Sequence, residues 1–254
     1  MKFAVVTGAS SGIGKAFCRF LDQQGYQLLL VARREDRLLQ LKQTLQHASI
    51  FVADLSQLDN CYRLYDHIKD RQVDLFINNA GFGDCGSFIE TDFTKEQQMI
   101  DVNIRALHVL MKLVLKQMVR NDHGKILNVA SCAGLLPGGP YMATYYATKA
   151  YVTSLTQAVA KELKDQRSQV YVGCLCPGPV DTEFNQVANV EFALSGITAK
   201  ACASYALKMI EKGKTVIVPG LMIKIASLFS RFLPRKLCLQ AIAHQQKKKL
   251  YKKI

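Results

Sequence analysis

Short runs of apolar residues alternate along the chain with longer stretches in which apolar residues recur at helical spacing. The short runs are continuous rather than alternating, as expected of parallel strands that are buried on both faces. They cover residues 2–7, 27–32, 49–53, 73–78, 125–130, 169–176 and 214–218. The helical patterns lie near 12–24, 34–46, 57–70, 95–121, 144–165 and 198–212.

This alternation predicts an α/β fold, a Rossmann-type doubly wound parallel sheet of about seven strands with helices on both faces. No linker, repeat or low-complexity stretch interrupts residues 1–220, so we expect one domain there. In such a sheet, ligands bind beyond the carboxyl ends of the strands, where the strand order reverses. Residues that directly follow strands are therefore the candidates for function.

The first apolar run ends in a glycine-rich segment, TGASSGIG, that leads directly into a helical pattern. Gly8 permits a tight turn, Gly12 lets the backbone approach a pyrophosphate, and Gly14 lets the helix pack closely on the strand. A plain turn would contain the same glycines, but the position between an N-terminal strand and a helix favours a dinucleotide site. Its candidate residues are Gly8, Ser10, Ser11, Gly12, Ile13 and Gly14.

The end of the second strand indicates which dinucleotide is preferred. A site selective for NAD(H) usually has an acid here, which accepts hydrogen bonds from the adenosine ribose. This chain has Ala32 followed by Arg33 and Arg34, and a guanidinium binds a 2′-phosphate that an acid would repel. We therefore predict NADP(H), with Arg33 as the main phosphate ligand and Ser10 and Arg34 as helpers. In the alternative, both arginines start a solvated helix, where they oppose the helix dipole and need a partner.

The third and fourth strands end in further polar candidates. Asp54, followed by Leu55, is placed to accept a hydrogen bond from an adenine amino group, although it would also serve as a helix N-cap. The fourth strand runs into Asn79, Ala80 and Gly81, which would line the same edge of the sheet or form an ordinary turn.

Two Tyr-x3-Lys pairs occur, and this spacing places both side chains on one face of a helix. Tyr65 and Lys69 lie in a charged helical pattern and are interpreted as a surface pair. Tyr145 and Lys149 follow the strand that ends at Ser131, after a Gly/Pro-rich loop. That position puts the second pair at the ligand end of the sheet.

These three groups suit the reduction of a carbonyl by a hydride, which develops negative charge on oxygen. Tyr145 would supply the proton, and a nearby Lys149 ammonium would lower the pKa of the phenol from about 10. Ser131 would donate a hydrogen bond to the same oxygen. The neighbouring Tyr146 also lies close to Lys149 on the helix and is interpreted as a packing residue.

Taken together, these residues resemble the short-chain dehydrogenase/reductase superfamily over residues 2–219, in the group with a full Asn-Ser-Tyr-Lys tetrad. Each motif is weak alone, but their order and spacing are specific. The segment FGDCGSF and the basic tail look like those of poorly characterised bacterial-type reductases. The matching elements are Thr7-Gly8-x3-Gly12-x-Gly14, Asp54-Leu55, Asn78-Asn79-Ala80-Gly81, Asn103, Ser131, Tyr145-x3-Lys149, Pro177-Gly178 and Thr182.

The resemblance implies a role for each member of the tetrad. Tyr145 is implied as the general acid/base, and Lys149 as the residue that lowers its pKa and holds the nicotinamide ribose. Ser131 would orient the substrate oxygen, and Asn103 would shape its helix and anchor a water in a proton relay. The resemblance also implies a homodimer or homotetramer formed through the helices that carry Asn103 and Tyr145.

The same resemblance implies the remaining cofactor contacts. Asn79 would support the central strands, Thr182 would bind the carboxamide, and Val180 would contribute backbone, next to Pro177 and Gly178. The resulting prediction is an NADP(H)-dependent enzyme that interconverts a carbonyl and an alcohol. The alternative is a non-catalytic NADP(H)-binding sensor or scaffold, which would not require the whole tetrad.

Composition and charge indicate which classes of partner and ligand the protein binds. The net charge is +13, but residues 221–254 hold nine of the 33 Lys and Arg and none of the 20 acids, so the basicity does not indicate nucleic-acid binding. Eight cysteines without a zinc or CxxC spacing, and a start without a leader, predict a cytoplasmic protein. The five histidines show no ligand spacing, so we predict no metal.

Two segments follow the nucleotide and catalytic motifs. Residues 183–197 are predicted to cover the substrate, and their apolar side chains favour a hydrophobic ketone or aldehyde, unless they only pack on one another. Residues 221–254 form a basic extension with an amphipathic helical pattern over 221–233 and a second helix starting near Pro234. This tail would pack on the protein, bind an anionic membrane surface as a peripheral contact, or remain solvated. The apolar residues of the covering segment are Phe184, Val187, Val190, Phe192 and Leu194.

Overall fold

The computed structural model describes residues 1–188, 196–230 and 232–250, with side chains as far as residue 247. Its strands are β1 (Phe3–Thr7), β2 (Gln27–Ala32), β3 (Ala48–Val52), β4 (Leu75–Asn78), β5 (Lys125–Val129), β6 (Tyr171–Leu175), β7 (Val180–Asp181), β8 (Ile197–Thr198) and β9 (Val216–Ile217). Seven of them form one parallel sheet in the order β3-β2-β1-β4-β5-β6-β9, and β7 pairs with β8. The predicted doubly wound sheet is confirmed.

Helices cover both faces of this sheet. They are α1 (Gly12–Gln23), α2 (Glu35–Lys42), α3 (Leu58–Ile68), α4 (Phe93–Ile100), α5 (Leu107–Arg120), α6 (Ala143–Asp165), α7 (Phe184–Val187), α8 (Ala199–Glu211), α9 (Leu221–Phe229) and α10 (Arg235–Leu250). None of the helices in the described ranges is long and apolar enough to cross a bilayer.

The two faces of the sheet carry separate hydrophobic cores because successive strand residues point in opposite directions. Val6 of β1 packs with Phe17 of α1 and Ala206 of α8 on one face. Val5 packs with Leu64 of α3 on the other face, where α5 and α6 also contribute. The continuous apolar runs of the sequence are thus explained by burial on both sides.

The strand order reverses between β1 and β4, because the chain builds outward from β1 through β2 to β3 and then crosses to β4. Beside such a reversal, a doubly wound sheet binds its ligand in the crevice at the carboxyl ends of the strands. The glycine-rich turn after β1 and the segment after β4 face each other there.

Three helices differ from the sequence prediction. The pattern over 95–121 is two helices joined by a π-helical segment, Asp101–Ala106, and the first of them begins at Phe93 after an Asp92 N-cap. The helix predicted over 34–46 ends at Lys42. In the tail, the amphipathic helix ends at Phe229 rather than at 233, and α10 follows Pro234.

The tail contacts the domain at a few positions. Gly220, with φ of 88°, turns the chain into α9, and Ile223 packs against Gly178. In α10, Cys238, Ile242 and Gln246 are buried, whereas most of its other described side chains are exposed. The α10 helix therefore packs on the domain, and α9 leaves most of its surface in solvent.

Candidate functional site

The glycine-rich turn between β1 and α1 has the backbone that its sequence requires. Gly8 and Gly12 have φ of 66° and 53°, in the left-handed region that favours glycine. A Cβ at Gly14 would lie 2.2 Å from the Gly8 carbonyl oxygen, so only glycine lets α1 begin this close to the turn. A Cβ at Gly12 would lie 3.2 Å from the Thr182 side chain, so these two residues face each other closely.

Hydrogen bonds between β1 and β4 fix the floor of the crevice. The Asn79 Nδ2 donates to the carbonyl oxygens of Thr7 and Gly8 at 2.9 and 3.2 Å. The Thr7 hydroxyl accepts from the amides of Asn79 and Ala80 at 2.9 and 3.0 Å. Asn79 thereby ties the fourth strand to the glycine-rich turn, so the two edges of the crevice form one rigid unit.

At the far end of the crevice, three arginines meet two carboxylates. Arg34, at the N-cap of α2, donates to Ser10 Oγ at 3.2 Å and to Glu183 Oε2 at 3.1 Å, and Arg37 donates to the other Glu183 oxygen. Arg33 lies 3.8 Å from Asp54. Burial raises the pKa of Glu183, but hydrogen bonds and charge from Arg37 and Arg34 outweigh it and hold that pKa below its usual value.

Both arginines at this helix start therefore have an acidic partner, Glu183 for Arg34 and Asp54 for Arg33. The predicted grouping of Ser10 with Arg34 is seen in the structure, whereas Arg33 faces Asp54 instead. Arg37 and Glu183 were not predicted. Arg37 follows Arg34 by one helical turn, so helical spacing could have indicated it. Spacing could not indicate Glu183, because it is 149 residues from Arg34 along the chain.

Asp54 has several local partners. Its Oδ1 accepts from the Ser56 amide at 3.0 Å and from the Ser56 hydroxyl at 2.9 Å, and its other oxygen faces Arg33. Asp54 therefore holds the turn after β3, with Leu55 buried behind it. Its predicted bond to an adenine amino group remains a prediction.

At the near end, Tyr145 and Lys149 project from α6 toward the segment that follows β4. A Cβ at Gly81 would lie 2.8 Å from Asn103 Oδ1 and 3.3 Å from Lys149 Nζ, so Gly81 sits between these two side chains. Tyr145 is hydrogen-bonded to Ser131, which follows β5. Three elements and the segment after β4 thus bring all four members of the predicted tetrad to one place.

Asn103 occupies the π-helical segment and is fully buried. Its Nδ2 donates to the Phe82 carbonyl oxygen at 2.9 Å and to Thr148 Oγ1 at 3.1 Å, and its Oδ1 accepts from the Phe82 amide at 3.1 Å. The wider π turn places this amide where it holds the segment after β4 against α6. Sequence periodicity alone does not predict a π segment.

At this end, burial is the largest influence on the pKa values of Tyr145 and Lys149. Lys149 Nζ donates to the Val129 carbonyl oxygen at 2.9 Å and lies 5.9 Å from the centroid of the Tyr145 ring. Burial lowers the pKa of Lys149 to about 8. Burial also raises the pKa of Tyr145, and the hydrogen bond with Ser131 only partly opposes it. The pKa of Tyr145 therefore lies above its usual value, because burial outweighs the groups that lower it. That the Lys149 ammonium lowers this pKa stays a prediction.

The remaining predicted residues lie around the same crevice. Ser11 is the N-cap of α1, and Ile13 packs on the core beneath it. The Pro177 carbonyl oxygen accepts from the Cys132 amide at 2.8 Å, and Val180 is buried in β7. These residues follow β1, β5 and β6 along the chain, and their contacts with a cofactor stay predictions.

Comparison with known proteins identifies the family of this fold and site. Residues 2–191 match the short chain dehydrogenase family. The chain belongs to this family. An uncharacterized oxidoreductase of Staphylococcus epidermidis is 39% identical over 191 residues, which cover 73% of this chain and 80% of the relative.

Two solved structures of short-chain dehydrogenases differ in their cofactor. The enzyme from Sphingobium yanoikuyae in complex with NADPH superposes with a TM-score of 0.82 and 27% identity, over 91% of this chain and 94% of that one. The enzyme from Burkholderia phymatum in complex with NAD has a TM-score of 0.81 and 25% identity, over 89% and 91% of the two chains. The family thus supports a nicotinamide cofactor, and structures with either dinucleotide occur among its members.

In this short-chain dehydrogenase, aromatic and apolar side chains form the wall next to Tyr145. The rings of Phe184 and Tyr146 lie 5.5 and 6.3 Å from that of Tyr145. Gln246 of α10 donates to the Tyr146 hydroxyl at 2.9 Å, and Ile242 joins the same apolar cluster. Neither tail residue could be predicted, since α10 carries no motif that indicates this contact.

The start of the predicted substrate segment is anchored at two points. Glu183 is held by the arginines of α2, and the Val187 carbonyl oxygen accepts from Lys95 Nζ at 3.2 Å, which also pairs with Asp84. Phe184, between these anchors, contacts the Tyr145 ring. The predicted residues Val190, Phe192 and Leu194 lie outside the described residues.

Proposed function

We propose that this protein is an NADP(H)-dependent short-chain dehydrogenase/reductase that interconverts a hydrophobic ketone or aldehyde and the corresponding alcohol. The observation that carries the proposal is one group of neighbouring side chains. Asn103 and Lys149 meet at Gly81, and Tyr145 lies next to Lys149 and is hydrogen-bonded to Ser131. A nicotinamide cofactor, when bound, supplies or accepts the hydride, since no side chain can do so.

The side chains handle the oxygen and its proton. In the reductive direction, the Tyr145 hydroxyl donates its proton to the oxygen on which negative charge develops, and the Ser131 hydroxyl donates a hydrogen bond to the same oxygen. The Lys149 ammonium stabilises the phenolate that Tyr145 becomes, which matters more because burial disfavours a lone phenolate here. Asn103 positions the segment at Gly81. In oxidation, the same proton returns to Tyr145.

The cofactor preference rests on the arginines at the far end of the crevice. Arg33 and Arg34, with Ser10, offer donors to a 2′-phosphate, and Arg37 adds a third cation beside them. The acid that would accept from the ribose of NAD(H) is replaced by Ala32 at the end of β2. With NADPH as the abundant cytosolic reductant, reduction is the proposed direction.

The substrate class follows from the wall beside Tyr145. Phe184, Tyr146 and Ile242 present apolar surface, which fits a hydrophobic carbonyl compound better than a phosphorylated sugar. The test is the oxidation of NADPH across a panel of ketones and aldehydes that includes long-chain and steroid-like carbonyls. Turnover of apolar members supports the proposal.

The same panel separates the proposal from its alternative. A sensor or scaffold would bind NADPH with submillimolar affinity yet consume none with any carbonyl, and this result would overturn the enzymatic reading. A homodimer or homotetramer formed through α5 and α6, and a cytoplasmic location, remain predictions. Sedimentation of the purified protein measures the first of these.

A further inference from the structure

The helix α9 and the turn after it expose an unusual number of large apolar side chains. Phe232 and Met222 are 80% and 76% exposed, and Phe229 is 64% exposed. Only one side of α9, with Ile223, Ser227 and Ser230, is partly covered by the protein. Monomeric soluble proteins rarely leave a contiguous apolar patch of this kind in water. We call these residues the α9 surface: Leu221, Met222, Ile225, Leu228, Phe229, Phe232 and Leu233.

The charged residues next to the α9 surface along the chain have one sign. Lys224 lies within it, Arg235 and Lys236 follow it, and no acid occurs anywhere in residues 212–254. A second group of exposed apolar side chains, Phe88, Ile89 and Phe93, lies beside three acids instead, Glu90, Asp92 and Glu96. The two patches are similar in exposure and opposite in charge, so they do not suit the same partner.

We propose that the α9 surface docks on an anionic lipid membrane. An interfacial helix combines exposed large apolar residues with Lys and Arg, which bind the negatively charged headgroups. The nine residues of α9 span about 14 Å at 1.5 Å per residue, roughly half of a hydrocarbon core, so the helix would lie in the interface and not cross it.

A second copy of the chain fits this surface less well. In a symmetric dimer the same patch meets itself, so Lys224, Arg235 and Lys236 of both copies would approach one another. No acid of the tail would neutralise them. Like charges brought together in this way oppose association, whereas an anionic bilayer attracts all of them.

The fold holds the α9 surface beside the candidate active site. Ile223 packs against Gly178, which follows β6 at the crevice, and α10 reaches Tyr146 through Gln246. A docked protein would therefore place the substrate side of its crevice close to the lipid. This last consequence rests on the proposed function, whereas the docking itself does not.

The chain contains no Trp, so a single introduced Trp reports on its own position. The full-length variants Phe229→Trp and Phe88→Trp are titrated with vesicles of phosphatidylcholine alone and of phosphatidylcholine with phosphatidylglycerol. We expect a blue shift of Phe229→Trp emission with the anionic vesicles, reduced by salt. Phe88→Trp should show no shift. Absence of any shift for Phe229→Trp overturns the proposal.

A second pair of variants tests the energetics by vesicle flotation. Leu228→Ser/Phe229→Ser should lower the partition coefficient on anionic vesicles about 100-fold, because two large apolar side chains no longer enter the interface. Phe88→Ser/Ile89→Ser is the matched control and should partition like the unmodified protein. Thermal unfolding of all variants checks that each is folded.

Two outcomes would contradict membrane docking. One is that both serine pairs reduce partitioning equally, which would indicate nonspecific adsorption. The other is that Leu228→Ser/Phe229→Ser dissociates an oligomer and leaves vesicle binding unchanged, which would assign the α9 surface to a second copy. Neither result depends on catalytic activity, so failure of this proposal and failure of the proposed enzyme function are distinguishable.

Discussion

The two ends of the candidate cofactor crevice are built in opposite ways. At the tetrad end, Asn103 is fully buried, and Lys149 and Tyr145 are only 4% and 8% exposed. Backbone groups of neighbouring elements hold Asn103 and Lys149, and the Ser131 side chain holds Tyr145. At the arginine end, the Arg34 and Glu183 side chains are 42% and 41% exposed, and they are held mainly by each other's charge.

The groups at the tetrad end are therefore fixed in position, whereas the charged groups at the arginine end can change partners. Buried groups fixed by hydrogen bonds lose little freedom when a substrate arrives, but their ionisation is costly. Exposed ion pairs contribute little to stability and can change partners at small cost. The tetrad end is therefore suited to chemistry, and the arginine end to recognising a phosphate.

The largest expected effect is at the tetrad end. Tyr145→Phe removes the proposed proton donor and leaves the ring in place, so kcat should fall by about 10²- to 10⁴-fold. The Kd for NADPH, measured by fluorescence titration, should change little, because the arginine end is intact. Turnover that survives in this variant would show that another group carries the proton.

The destabilisation caused by burying the Lys149 ammonium can be measured as the pH dependence of the free energy of unfolding. The folded pKa of Lys149 is about 8, below its value of 10.5 outside the protein, so the unfolded chain binds more protons between these values. The free energy of unfolding should therefore rise from pH 8 to pH 10.5 relative to that of Lys149→Met. The full rise is about 3 kcal/mol at about 1.4 kcal/mol per pKa unit.

Chemical denaturation across this pH range measures the effect. Lys116→Met, which removes an exposed lysine of α5, is the control and should run parallel to the unmodified protein. Below pH 8 the curves of the unmodified protein and Lys149→Met should also run parallel, since Lys149 is then protonated in both states. Parallel curves through the whole range would mean that the ammonium is not destabilised by burial.

At the arginine end, the predicted effect is smaller and depends on the cofactor. Arg34→Ala removes donors to the proposed 2′-phosphate, so the Kd for NADPH should rise about 10- to 100-fold, the value of a charge-assisted pair. The Kd for NADH, which lacks this phosphate, should change little. Equal loss of both affinities would assign Arg34 to the structure of the crevice rather than to recognition.

The sequence predicted the tetrad end better than the arginine end, and the reason is physical. Strand ends, glycine turns and the Tyr145–Lys149 spacing are local patterns, and a parallel sheet brings such strand ends together. Glu183 meets Arg34 across 149 residues and Gln246 meets Tyr146 across 100, with no local pattern for either contact. The pKa directions of Tyr145 and Lys149 also depend on burial, which residue spacing does not reveal.

The smallest predicted effect concerns Glu183, which no local sequence pattern indicates. Because Glu183 neutralises Arg34 and Arg37, a 2′-phosphate must compete with its carboxylate for the same donors. Glu183→Gln keeps the shape and removes the charge, so NADPH should bind about three- to tenfold more tightly, in line with roughly 1 kcal/mol for an exposed pair. NADH should bind as before.

Asp181→Asn, at an exposed acid two residues away in β7, is the matched control and should leave both affinities unchanged. Weaker NADPH binding in Glu183→Gln would instead mean that the carboxylate holds the arginines in the geometry that the phosphate needs.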